Sequence, residues 1–114
     1  MTLKGLQVKP TPQALVQADH TITGIGDGRK TVATAGTREA LADSTEAKAV
    51  TITAETDNTG WIVVGDATVV AALATRRGTP LEAGDSYSFV LNNLADVYID
   101  ATVDGEGCSF TYFN

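Results

Sequence analysis

The chain has 114 residues, 43% of them apolar, and a formal charge of −6, which suits one domain with its own core and no obligatory metal or disulfide. With only eight Lys and Arg it lacks the makings of a basic face, so neither nucleic acid nor an anionic membrane is an expected partner. Cys108 is the only cysteine, which rules out an intrachain disulfide. The start, Met1-Thr2-Leu3-Lys4-Gly5, carries no signal-peptide stretch and no run is long enough to span a bilayer, so synthesis in a cytoplasm is expected.

Residues 1–27 read as an extended N-terminal arm ending in a hinge. Leu3, Leu6, Val8, Leu15 and Val16 are scattered among polar residues, and Pro10 and Pro12 each remove an amide donor and hold the preceding residue extended. These five apolar residues are candidate contacts with another protein surface. Gly24-Ile25-Gly26-Asp27-Gly28 reads as the joint, since glycine accepts most backbone conformations. Residues 28–114 are expected to form an all-β domain, a small β-sandwich or jelly-roll-like barrel, because Val, Ile and Thr are frequent and turn residues recur between short runs.

Within that domain Lys30 to Thr34 is the expected first strand, broken at Ala35-Gly36-Thr37. Arg38 to Ala42 reads as a short edge strand or a helical turn. Val50-Thr51-Ile52-Thr53-Ala54 alternates, with Val50, Ile52 and Ala54 facing the core. Asp57-Asn58-Thr59-Gly60 is turn chemistry, and Trp61 to Val64 is expected to complete a hairpin with it. Asp66 to Gly78 fits either a short helix or an irregular loop. Tyr87, Phe89 and Leu91 share one face, as do Val97, Ile99, Ala101 and Val103, while Asp104-Gly105-Glu106-Gly107 signals a second hairpin. Cys108, Phe110 and Tyr112 close the core, which turns Phe113 outward as a candidate subunit contact.

Residues with chemical potential are few. His20 is the only histidine and lies in the arm, far from the rigid setting that a Cys–His or Ser–His pair requires. One His and one Cys fall short of a zinc ligand set. Gly24-x-Gly26-x-Gly28 before Arg29-Lys30 resembles a phosphate loop but lacks the strand before and the helix after that such a loop needs. Asp96, Asp100, Asp104 and Glu106 form the densest carboxylate group, expected as a solvated outer face opposite Val97, Ile99 and Val103. Trp61 reads as core or interface packing, and as a sugar platform only if exposed. No catalytic, cofactor-binding or metal-binding residue is therefore expected, no cofactor is implied, and the chain reads as a binding or structural module and not an enzyme.

From about Arg38 to the C-terminus the chain resembles the small virion structural proteins of tailed bacteriophages, of the head-decoration and head-fibre type. The resemblance rests on Val50 to Ala54, Asn58-Thr59-Gly60-Trp61-Ile62-Val63-Val64-Gly65, Pro80-Leu81-Glu82-Ala83-Gly84-Asp85-Ser86, Asn92-Asn93-Leu94 with Val97-Tyr98-Ile99-Asp100, and Asp104-Gly105-Glu106-Gly107. It implies a non-enzymatic capsid decoration protein on the outer surface of a phage head, made in the host bacterium, bound to the major capsid protein and often trimeric. The arm, with Leu3, Leu6, Val8, Leu15 and Val16, would then grip the capsid or a neighbouring subunit. The alternative is a virion-displayed adhesion or carbohydrate-binding module. Asp66 to Arg77 is longer and richer in alanine than the resemblance leads one to expect.

Overall fold

The computed structural model describes residues 22–114; the arm's candidate contacts at Leu3, Leu6, Val8, Leu15 and Val16 lie outside them. The short alternating runs become eight strands: β1 Ile25–Thr31, β2 Glu39–Ala40, β3 Ala49–Ala54, β4 Ile62–Gly65, β5 Thr79–Leu81, β6 Ser86–Val90, β7 Tyr98–Ala101 and β8 Gly107–Phe113. Two 3-10 turns, Leu73–Thr75 and Leu94–Asp96, interrupt the connections. The strands form two antiparallel four-stranded sheets, ordered β1-β8-β3-β6 and β2-β7-β4-β5. The all-β sandwich expected from composition is the fold observed.

The order has a simple rule. β1 pairs with β8, β2 with β7, β3 with β6 and β4 with β5, as if one long antiparallel ribbon had been rolled up. This is jelly-roll connectivity, in which two packed sheets share one core. Every connection crosses between the sheets except the one from β4 to β5. Two expected hairpins are corrected by this. Val50–Ala54 and Trp61–Val64 sit in opposite sheets, and so do β7 and β8 across Asp104-Gly105-Glu106-Gly107. Turn residues do reverse the chain at both places, but the apolar faces on either side are buried against each other across the core, not side by side in one sheet.

The core lies between the sheets. Val50, Ile52, Ala54, Cys108 and Phe110 from one side meet Ile62, Val64, Leu81, Ile99 and Ala101 from the other, with Val32, Leu41, Ala47, Leu94 and Val97 sealing the ends. In β3 the expected alternation is exact in register, with Val50, Ile52 and Ala54 buried.

The hinge expected at Gly24 to Gly28 is a strand instead. β1 begins at Ile25 and pairs residue for residue with β8, from Ile25 opposite Phe113 to Thr31 opposite Gly107. The glycines are there for space. Gly26 lies opposite Tyr112 and Gly28 opposite Phe110, and a Cβ on Gly28 would stand 2.5 Å from Phe110 Cζ. The rings of β8 lie over the bare backbone of β1, an arrangement that lets glycine sit in a strand without exposing it. The same crowding removes the phosphate-loop reading, because a strand follows and no helix does.

Candidate functional site

The β4–β5 connection is the only one that need not cross the sandwich, and it folds back over the outer face of its own sheet. Asp66 opens it by accepting hydrogen bonds from the Thr68 amide (2.8 Å) and hydroxyl (2.6 Å). The Thr68 hydroxyl and then its amide hold the Asp66 carboxyl below its usual range. Val70 and Arg77 exchange backbone hydrogen bonds of 3.0 Å each, so the excursion is a narrow loop with Leu73 at its tip. Of the two forms expected it is the irregular loop, pinched at Val70 and Arg77 and carrying one 3-10 turn. Val69 and Ala71 on its underside form a second small core with Val63, and Tyr98 packs against it.

Asp100 lies beneath this cover with 1% of its surface exposed. Its Oδ1 accepts from the amides of Gly36 (3.0 Å) and Ala101 (2.9 Å), and its Oδ2 from the amide of Ala71 (2.9 Å). Asp100 thus ties the β1–β2 connection and the β4–β5 excursion to the centre of β7. The expectation of a solvated carboxylate here is corrected. Alternation did place Asp100 on the side away from the main core, but the chain itself covers that side. The one sequence signal was the excess of Val and Ala in the 66–78 stretch, more than a solvated loop needs.

The other carboxylates behave alike. Glu106 accepts from the Thr59 amide (2.6 Å) and hydroxyl (2.8 Å) and from the Gly60 amide (2.9 Å). Burial pushes its pKa up, but those donors outweigh burial and leave it below the ordinary range. Asp104 accepts from Ala35 at 2.7 Å. Glu39 accepts from the Ala33 amide at 3.1 Å and meets Lys30 Nζ at 3.1 Å; the amide first and the ammonium second lower its pKa. Asp100, Asp104 and Glu106, the heart of the carboxylate group singled out in the sequence, therefore do not converge on a common point. Asp100 and Asp104 both hold the β1–β2 connection, through the Gly36 and Ala35 amides, and Asp100 also holds Ala71. Glu106 holds the β3–β4 turn at Thr59 and Gly60, and Asp96 stands exposed in the Leu94–Asp96 turn. Among the described residues no group of three or more His, Cys, Asp or Glu is placed to hold a metal.

Cys108 is buried on the inner face of β8, and its thiol is pushed up to about 12, by burial first and by the nearby Glu55 second. A thiol so protonated is a packing group at neutral pH. His20, discounted above as a catalytic partner, lies outside the described residues. Trp61 is half-buried, and the Arg76 guanidinium sits over its ring at 5.3 Å while Arg76 Nε donates to the Ala71 carbonyl at 2.9 Å. That cation covers one face of the ring.

Two surface features remain. A groove of about 620 Å³ opens between β1 and β2, lined among others by Arg29, Lys30, Arg38, Glu39 and Phe110. Among the described residues nothing covers the outer face of β1-β8-β3-β6. Its register forms rows across the strands: Ile25, Phe113, Ala49 and Val90, then Asp27, Thr111, Thr51 and Ser88, then Arg29, Ser109, Thr53 and Ser86. Phe113 therefore stands on the outer side, half-buried between Ile25 and Ala49. Thr51 and Ser88 share a hydrogen bond of 2.8 Å, and Thr53 and Ser86 one of 2.7 Å.

No family model, no curated protein and no solved structure matches this chain. None of these comparisons links the chain to phage virion proteins.

Proposed function

We propose that this chain is a non-enzymatic structural module of a virion, a capsid decoration protein seated on the outer surface of a tailed-phage head through its major capsid protein. The observation that carries the reading is the employment of the carboxylates: Asp100, Asp104 and Glu106 are engaged in holding loops, while among the described residues a whole sheet face stands uncovered. Jelly-roll connectivity is shared by viral capsid, lectin and cupin domains, which supports the reading by analogy of fold only. Attachment to an assembled shell needs no catalytic site; it needs surface that binds the assembled state and so stabilises it. In this reading Leu3, Leu6, Val8, Leu15, Val16 and Phe113 are the contact residues, and trimeric assembly is what the resemblance implies.

Co-sedimentation with heads built from the major capsid protein of the same genome tests it. Full-length protein is expected to pellet with the heads, and a variant lacking residues 1–20 is expected to stay in the supernatant while remaining folded. Equal binding by both removes the arm from the account, and no binding by either removes the decoration reading. The lectin use of the same fold supports the alternative, a glycan-binding virion module. A glycan array distinguishes the two, since only that reading expects a signal.

A further inference from the structure

Antiparallel pairing sends the amide and carbonyl of alternate residues to opposite sides of a strand. Gly24 exchanges both backbone bonds with Asn114, at 3.0 Å each way, so in the observed register Gly26, Gly28 and Lys30 turn theirs to β8. Ile25, Asp27, Arg29 and Thr31 therefore turn theirs to the open edge, and among the described residues β1 pairs with β8 alone. The other three sheet edges are less suited to receive a strand. β2 has two residues, β5 contains Pro80, and β6 runs for five with no charges that could fix a register, whereas β1 runs for seven.

A long open edge attracts strand addition unless charges block it. Of the three charges in β1, Lys30 is on the half-buried side and paired with Glu39, while Asp27 and Arg29 flank Gly28 symmetrically and share the exposed outer face. We propose that β1 pairs antiparallel with β1 of a second copy about a two-fold axis at Gly28, joining the two β1-β8-β3-β6 sheets into one. In that register Asp27 lies opposite Arg29 of the partner subunit, and Ile25 opposite Thr31 of the partner subunit. All four residues with free backbone groups then fall at hydrogen-bonded positions, each pair exchanging two bonds. Opposite charges directly across strands favour this register, and like charges would oppose it.

Two details fit. Gly28 at the axis has no side chain to crowd its own image. Arg29 Nε is held by Glu55 at 2.5 Å, yet its side chain is 65% exposed, so the guanidinium stands ready for a second carboxylate, Asp27 of the partner subunit. A pairing confined to one strand buries far less than the roughly 800 Å² per partner of a stable interface. The contact is therefore weak, dependent on protein concentration and weakened by salt. It is independent of the capsid reading, since it needs only this edge, and a trimer would have to use other surfaces.

Sedimentation equilibrium of the full chain at rising concentration is the test. The unaltered protein is expected to show a monomer–dimer equilibrium. Asp27→Arg and Arg29→Asp each put like charges opposite one another twice per dimer, and each is expected to weaken association about tenfold at low salt. An equimolar mixture of D27R and R29D is expected to restore it, because each variant then meets its opposite. A protein that stays monomeric at every concentration, an oligomer indifferent to both variants, or a mixture that fails to associate would each overturn the proposal. Far-ultraviolet circular dichroism of the single variants, both altered at exposed positions, checks that they fold.

Discussion

The two sheets treat their outer faces in opposite ways. On β2-β7-β4-β5 the chain covers itself: the β4–β5 excursion lays Val69 and Ala71 on Val63, and Asp100 fastens the cover from below. On β1-β8-β3-β6 nothing in the described residues lies over rows of Ile, Phe, Ala, Val, Thr and Ser. Exposed apolar residues such as Ile25 and Val90, at 70% and 82%, belong to the bare face. Among the described residues one face is covered by the chain's own loop and the other is not. A buried polar group is stable only when its bonding capacity is met, and Asp100 shows that condition fulfilled with backbone amides alone.

The comparison is broken most severely at Asp100. Asp100→Ala deprives the Ala71 and Ala101 amides of their acceptor, leaves the Gly36 amide only the longer bond to the Ala101 carbonyl at 3.3 Å, and is expected to cost about 3 kcal/mol or more, read from urea unfolding. A loss under about 1 kcal/mol would mean that water serves those amides equally well. Next comes the inner side of the bare sheet. Gly28→Ala drives a methyl into the Phe110 ring and is expected to cost about 1–3 kcal/mol, while Gly28→Ala with Phe110→Leu should recover part of it. Thermal unfolding of the pair gives the answer, and a neutral Gly28→Ala would show that β1 shifts freely.

A smaller effect is expected from acid. Glu39 and Glu106 have folded pKa values below the ordinary range, so the unfolded chain binds protons more readily at those sites. Their contribution is fully present above the unfolded value of about 4.3 and is lost as pH falls through the lower folded values. The melting temperature should therefore decline below about pH 4, and Glu106→Gln should decline less steeply than the unaltered protein. The smallest effect is expected on the bare face itself. Thr51→Val removes an exposed hydrogen bond to Ser88 and should change stability by no more than about 0.5 kcal/mol; a much larger loss would show that the face is held in place by its hydroxyls.

Much of this was legible in the residues, and the failures have a common cause. Val50, Ile52 and Ala54, and Cys108 and Phe110, announced inward faces because period-two alternation is a local property. The turn sequences at Asp57–Gly60 and Asp104–Gly107 were equally local, and they do turn the chain. What they could not convey is the sheet that receives the next strand, which jelly-roll winding decides through pairings as distant as β1 with β8. Gly26 and Gly28 misled in the same way, since the rings that require their smallness stand on a strand some eighty residues later. Asp100 was assigned the correct side, but its burial depends on a loop from another part of the chain. Of the candidate contacts, Phe113 was legible as outward-facing once its strand was recognised.

The central claim, that Asp100 fastens a cover over the outer face of one sheet, is tested most directly by hydrogen exchange of single amides in the unaltered protein and in Asp100→Ala. The account predicts that the Gly36 and Ala71 amides are strongly protected in the unaltered protein. It also predicts that the variant loses protection at 66–78 while the β3 and β8 amides keep theirs relative to global stability. Gly36 and Ala71 amides that exchange at the rate of an open loop before any substitution would contradict it.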